Sequence, residues 1–101
     1  MYIYLLEDVT DGGNFIYKIG FTTNLVKRMQ AHKTSNPDAI LIKSFKTNYN
    51  RKVETALKNY FKKKLYFGEW FFLEEGDINN FIPLCEKFEK NFICLNDNPF
   101  F

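Results

Sequence analysis

The chain has 101 residues, of which 46% are hydrophobic and 19% aromatic, and a formal net charge of +2. That length holds one core, and twelve Phe and six Tyr supply ample material to fill it, which excludes a disordered chain. No apolar run approaches the roughly 18 residues of a membrane span, and MYIYLLEDVT lacks the basic start of a secretory signal, so the expectation is a soluble, intracellular protein that is not secreted.

The first predicted element is a buried strand at residues 2–6, YIYLL, with Tyr2 and Tyr4 on one face and Ile3 and Leu5 on the other. EDVTDGGN is turn material, and FIYKIG at 15–20 is a second strand, so the two segments form a hairpin with a loop longer than two residues. Tyr17 and Lys18 fall on opposite faces of that strand. Thr22, Thr23 and Asn24 offer capping oxygens for a helix over 24–34, which should end before Pro37. Leu25, Arg28, Met29 and His32 share one face of it. Residues 39–46, AILIKSFK, read as a third strand.

Asn50 is the expected cap of a second helix over 51–64, with Val53, Ala56, Leu57, Tyr60 and Phe61 as its buried stripe and Glu54 on the stripe's edge. A short strand, EWFFL at 69–73, follows Gly68. A third helix is predicted over 77–90, capped by Asp77, with Phe81, Leu84, Cys85 and Phe88 facing inward, and NDNPFF forms a tail. The order β-β-α-β-α-β-α implies one α+β domain over 1–101, a small, mostly antiparallel sheet flanked by helices. Cys85 and Cys94 have no companions for a zinc site and read as buried free thiols.

Charge is unevenly distributed. Residues 43–64 carry eight basic side chains against Glu54 alone, whereas 65–101 hold seven acids against Lys87 and Lys90. A basic middle beside an acidic tail suits a polyanion-binding surface, with Lys43, Lys46, Arg51, Lys52, Lys58 and Lys62 as candidate phosphate contacts; a solvated helix face is the ordinary alternative. Arg28 and His32, four positions apart, project the same way from an inward face, where a guanidinium needs a carboxylate or phosphate partner. A snorkelling Arg and a partly buried His would also explain them. Glu54 has an ordinary account in a helix salt bridge to Lys58 or Arg51, but a lone carboxylate among cations also suits a hard divalent ion that keeps most of its waters.

Taken in order, Ile3-Tyr4, Lys18-Ile19-Gly20, Asn24-Leu25, Arg28, His32 and Val53-Glu54-Thr55-Ala56-Leu57-Lys58 resemble the GIY-YIG endonuclease superfamily. Tyr17-Lys18-Ile19-Gly20-Phe21-Thr22 and Gly68-Glu69-Trp70-Phe71 are similar to the branch common in phages and large DNA viruses. The likeness covers about 2–73 and leaves the C-terminal helix and tail, 74–101, outside. It implies a GIY-YIG-like fold and a divalent-metal-dependent endonuclease that hydrolyses phosphodiester bonds, with DNA expected in preference to RNA. It also implies roles. Tyr4 positions or deprotonates the attacking water, Arg28 grips the scissile phosphate, His32 handles protons near the nucleophile, and Glu54 is the single protein ligand of Mg²⁺ or Mn²⁺.

Two departures from the family pattern stand out. Lys18 occupies the place of the second motif's leading Tyr, where it is expected to contact phosphate or act as a base, and no counterpart follows Glu54 for the Asn that many members carry. The Lys18 change supports an alternative, a catalytically inactive module that keeps the fold and binds DNA. A third reading, an interaction domain that docks a partner through Trp70, Phe71 or the NPFF end, rests only on aromatic abundance. With so little chain outside the catalytic unit, binding is expected to be salt-sensitive and weakly sequence-specific, leaving specificity to a homodimer or a partner protein.

Overall fold

The computed structural model describes residues 1–96. Tyr2–Val9 (β1) is an interior strand with both of its faces covered: Ile3 and Leu5 on one side and Tyr4 and Leu6 on the other are all buried. It pairs antiparallel with Phe15–Thr22 (β2) across the Asp11-Gly12-Gly13 turn, where Gly13 takes the left-handed φ of 83° that this turn needs. On its other edge β1 pairs with Ile40–Lys46 (β3), with a register irregularity between Leu5 and Leu6. Leu65–Phe67 (β4) and Trp70–Phe71 (β5) complete a sheet of order β3-β1-β2-β5-β4 in which every pairing is antiparallel.

Leu25–Ser35 (α1) lies against the Tyr4 side of the sheet, and the Asn24 side chain caps it by accepting the Lys27 N–H at 3.0 Å. Asn50–Tyr60 (α2) and Phe81–Asn96 (α4) cover the other side. There Val53, Leu57 and Phe61 meet Ile3, Leu5, Ile19, Phe71, Phe81, Leu84 and Cys85 in one apolar core. No helix among the described residues is long and apolar enough to cross a membrane.

Several local expectations are corrected. Tyr49, not Asn50, is the α2 N-cap, and Asn50 is a buried first-turn residue. That helix stops at Tyr60 and passes through a 3₁₀ turn, Lys62–Lys64, into β4, a strand absent from the sequence reading. Tyr60 is exposed and sets its ring edge-on to Phe61 and Phe88 instead of joining the buried stripe. The expected helix over 77–90 is two helices, Glu75–Asn79 (α3) and α4. Pro83 explains the break: a continuous helix would need its missing N–H at the Asn79 carbonyl and would drive its ring into that carbonyl, whereas the first turn of a new helix tolerates it. Asp77 therefore caps from within α3, accepting the Glu74 N–H at 2.9 Å in a capping box. Cys85 is buried, which pushes its thiol up to about 12, but Cys94 is exposed. Asn98-Pro99-Phe100-Phe101 lies outside the described residues.

Candidate active site

β5 pairs with β2 only at Tyr17 and Lys18, and a last backbone bond runs from the Ile19 N–H to the Glu69 carbonyl at 3.4 Å. Beyond that point the outer edge of β2 has no strand beside it among the described residues. Groups from both sides of the sheet meet around this open edge, in a cleft of about 220 Å³ lined by Tyr4, Gly20, Phe21, Thr22, Arg28, Glu54 and Glu69.

From the α1 side comes a hydrogen-bonded trio. The Tyr4 hydroxyl lies 3.1 Å from His32 Nε2 and accepts the Arg28 Nε–H at 3.4 Å. A guanidinium only donates, so the phenolic proton is left to point at His32 Nε2, which accepts it when the imidazole is neutral and carries its proton on Nδ1. Burial lowers the His32 pKa from the ordinary 6.5, the positive charges of Lys18 and Arg28 lower it further, and Glu69 opposes them only in part. The neutral state is therefore favoured. The hydrogen bond to Tyr4 raises the Arg28 pKa, so the guanidinium is always charged.

Gly20 makes the trio possible. It sits directly across from Tyr4 in the β1–β2 pairing, and a Cβ on it would fall 2.5 Å from both Cζ and the hydroxyl oxygen of Tyr4. The phenol end of the ring occupies the place where a side chain would stand. Tyr17 faces the opposite way, buried and bonded to Glu7 at 2.9 Å, and burial together with that carboxylate pushes its hydroxyl up to about 12. It does not share the cleft.

From the α2 side comes a charged chain. Lys58 Nζ bridges Glu54 at 3.3 Å and Glu69 at 2.9 Å, and Glu69 also meets Lys18 at 3.5 Å. Burial raises the Glu54 pKa, Lys58 pulls it back and Glu69 pushes it up again, for a net rise. Burial also pushes Glu69 up, but its ion pairs with Lys58 and Lys18 outweigh this and leave the carboxyl net lowered. Among the described residues no group of three or more His, Cys, Asp or Glu could hold a metal. That donor set does not fit a closed zinc cage, yet a carboxylate opening into a cleft fits a hard divalent ion that retains its waters.

Of the residues singled out from sequence, Tyr4, Arg28 and Glu54 line the cleft; His32 joins through Tyr4, and Lys18 through Glu69. The six candidate phosphate contacts do not form one patch. Lys58 is in the charged chain and Lys62 begins the 3₁₀ turn. Arg51 and Lys52 border a shallow groove between α2 and α4, where Lys52 lies 5.7 Å from the Phe92 ring centre. Lys43 and Lys46 sit on opposite faces of β3, at the far edge of the sheet from β4. Sequence reasoning missed Glu69 as a site residue. Its signal was an acid directly before a short apolar strand, but its importance depends on that strand pairing beside Lys18.

The T5orf172 domain model matches residues 1–86, a span that includes every cleft residue and extends past the predicted limit near 73 into α4. No curated protein and no solved structure matches the chain.

Proposed function

We propose that this chain, which belongs to the T5orf172 domain family, phage-associated and related to nuclease-like folds, is a GIY-YIG-type, divalent-metal-dependent endonuclease that hydrolyses phosphodiester bonds in DNA. The observation that carries this reading is the meeting of Tyr4, Arg28 and Glu54 in one open cleft, with His32 directly behind Tyr4. Phosphodiester hydrolysis requires charge neutralisation on the phosphate, a proton acceptor for the attacking water and relief for the departing oxygen.

In this reading Arg28 binds a non-bridging phosphate oxygen through the part of its guanidinium not engaged by Tyr4. A water beside Tyr4 gives a proton to the phenolic oxygen as the phenolic proton passes to His32 Nε2. The water oxygen forms the new bond to phosphorus, the bond to the 3′ oxygen breaks, and that oxygen takes up a proton from solvent. Glu54 would hold Mg²⁺ or Mn²⁺, which when bound supplies further charge neutralisation at the phosphate and the departing oxygen. Lys18, tied to Glu69, contributes positive charge beside the cleft and adds to the burial that favours neutral His32.

The test is cleavage of supercoiled plasmid with Mg²⁺ or Mn²⁺ by wild type, Glu54→Gln and Arg28→Ala. Each variant should lose about 10²–10³-fold in rate, as removal of one transition-state contact typically does, and EDTA should abolish cutting. Glu54→Gln cutting as fast as wild type would refute the site. A non-catalytic DNA-binding module is the second reading, favoured by the ammonium of Lys18 where the family motif has a phenol; DNA binding without cleavage in either metal would select it.

A further inference from the structure

The β4–β5 hairpin turns at Gly68, whose φ is 57°, and carries an unusual load of exposed aromatic surface. Phe71 pairs with both Tyr17 and Leu65 and points into the core, whereas Trp70 pairs with Lys18 on the opposite face. Phe72 follows in the same alternation as Trp70, its N–H bonded to the Lys64 carbonyl at 2.8 Å, and its ring meets that of Tyr66 at 4.7 Å. Trp70, Phe72 and Tyr66 thus lie on the sheet face that also bears Lys18 and Tyr4. Tyr66 is 50% exposed, Phe72 41% and the neighbouring Phe67 74%. The core does not need these rings, which a solvated hairpin would replace with polar residues.

The surroundings indicate what covers them. Lys62 and Lys63 lie in the 3₁₀ turn just before β4, separated from it only by Lys64, which is paired with Asp77, and they have no ion-pair partner among the described residues. Lysine is depleted from protein docking surfaces, and a lysine run leading into an edge strand opposes pairing with a second copy. Aromatic rings flanked by free cations are what a single-stranded nucleic acid requires, since its bases offer π-faces and its backbone offers phosphates. The hairpin is also continuous with the cleft, because Glu69 in its turn lines the cleft and the next residue, Trp70, begins the aromatic face.

We propose that this hairpin is a stacking platform for unpaired nucleobases beside the phosphate held in the cleft, so that the preferred substrate is DNA with a single-stranded segment next to the cut. The inference rests on the phosphate-binding role given to the cleft above.

The test is fluorescence anisotropy in EDTA with labelled oligothymidylate, blunt duplex and a duplex with a single-stranded overhang. Wild type should bind the single strand and the overhang more tightly than blunt duplex. The double variant Tyr66→Leu/Phe72→Leu keeps apolar bulk but no π-face, and should lose about tenfold in single-strand affinity with blunt-duplex binding unchanged. Tyr66→Phe should behave as wild type, and melting temperatures verify folding. The proposal is overturned if the leucine variant keeps the single-strand preference, if it weakens both ligands equally, if wild type binds no nucleic acid, or if ultracentrifugation shows that the rings govern only self-association. Since binding in EDTA does not depend on cutting, ring-dependent preference without cleavage would sink the nuclease reading alone. Plasmid cleavage by a protein whose leucine variant is unaltered would sink this proposal alone.

Discussion

The two faces of the sheet are held by different physics. Under α2 and α4 the contacts are apolar and closed: Ile3, Leu5, Ile19, Val53, Leu57, Phe81 and Cys85 are fully buried, an arrangement stabilised by removing hydrocarbon from water. Under α1 the attachment is partly polar. His32 is the one buried residue of that helix, and its partner is the hydroxyl of Tyr4. A hydrocarbon interface gives stability but no chemistry, whereas a hydrogen-bonded one holds a helix and leaves groups able to exchange protons at its margin. In this protein the apolar core is concentrated on one face, and the hydrogen-bonded polar side chains on the other meet Glu54 around the open edge of β2.

Substitutions on the two faces should separate stability from activity. The largest expected effect on stability is from Leu57→Ala, which should cost about 2–5 kcal/mol in urea unfolding. Val26→Ala, on the exposed side of α1, should stay within about 0.5 kcal/mol. Next comes Gly20→Ala. The added methyl must displace the Tyr4 ring, costing about 1–3 kcal/mol by overpacking and also breaking the bonds to His32 and Arg28, so cleavage should fall with stability. Tyr4→Phe keeps the ring and removes only its hydroxyl contacts. It should cost about 1 kcal/mol in the same unfolding measurement while cleavage falls much further. A stability loss equal to that of Leu57→Ala would erase the distinction between the faces.

Two smaller effects follow from protonation. Because the folded-state pKa of His32 lies below 6.5, the unfolded chain binds the proton more readily. Its contribution to stability is complete above pH 6.5 and is lost as pH falls from 6.5 through the folded-state pKa, and His32→Asn should flatten that part of a stability-against-pH curve. Glu54 has the opposite sign: its raised pKa means that the charged form is disfavoured by folding. Glu54→Gln should therefore melt no lower than wild type at pH 7 while losing cleavage. A clear drop in melting temperature would recast Glu54 as a structural partner of Lys58.

What was legible in sequence was local. The Asn24 cap, the alternation of Ile3 and Leu5 against Tyr4, the opposed faces of Tyr17 and Lys18, and the end of α1 before Pro37 each depend on chemistry within a few residues. What was missed depends on distant partners. β4 was obscured because KKKLYF has neither alternation nor a turn before it, and its strand geometry comes from pairing with β5. Tyr60 has the spacing of a core residue, but the core is already filled by Phe61. The break before α4 was legible in principle, since Pro83 excludes a helix running through Asn79. The candidate site was legible as residue types but not as a place, because nothing local indicates that the β2 edge stays open where Glu54 and Arg28 approach it.

That opening has a dimension set by a single length. β5 stops pairing at Lys18, and each further residue of strand would advance along the β2 edge by about 3.3 Å. Two more paired residues would bring its backbone alongside Gly20 and seal the cleft, with every buried side chain of the α2 face left in place. The two-residue strand thus acts as a stop that fixes how wide the entrance is. Length changes in the turn around Gly68 would be nearly silent in a folding assay and severe in a cleavage assay, and related chains could adjust the bulk of what they admit by moving that stop.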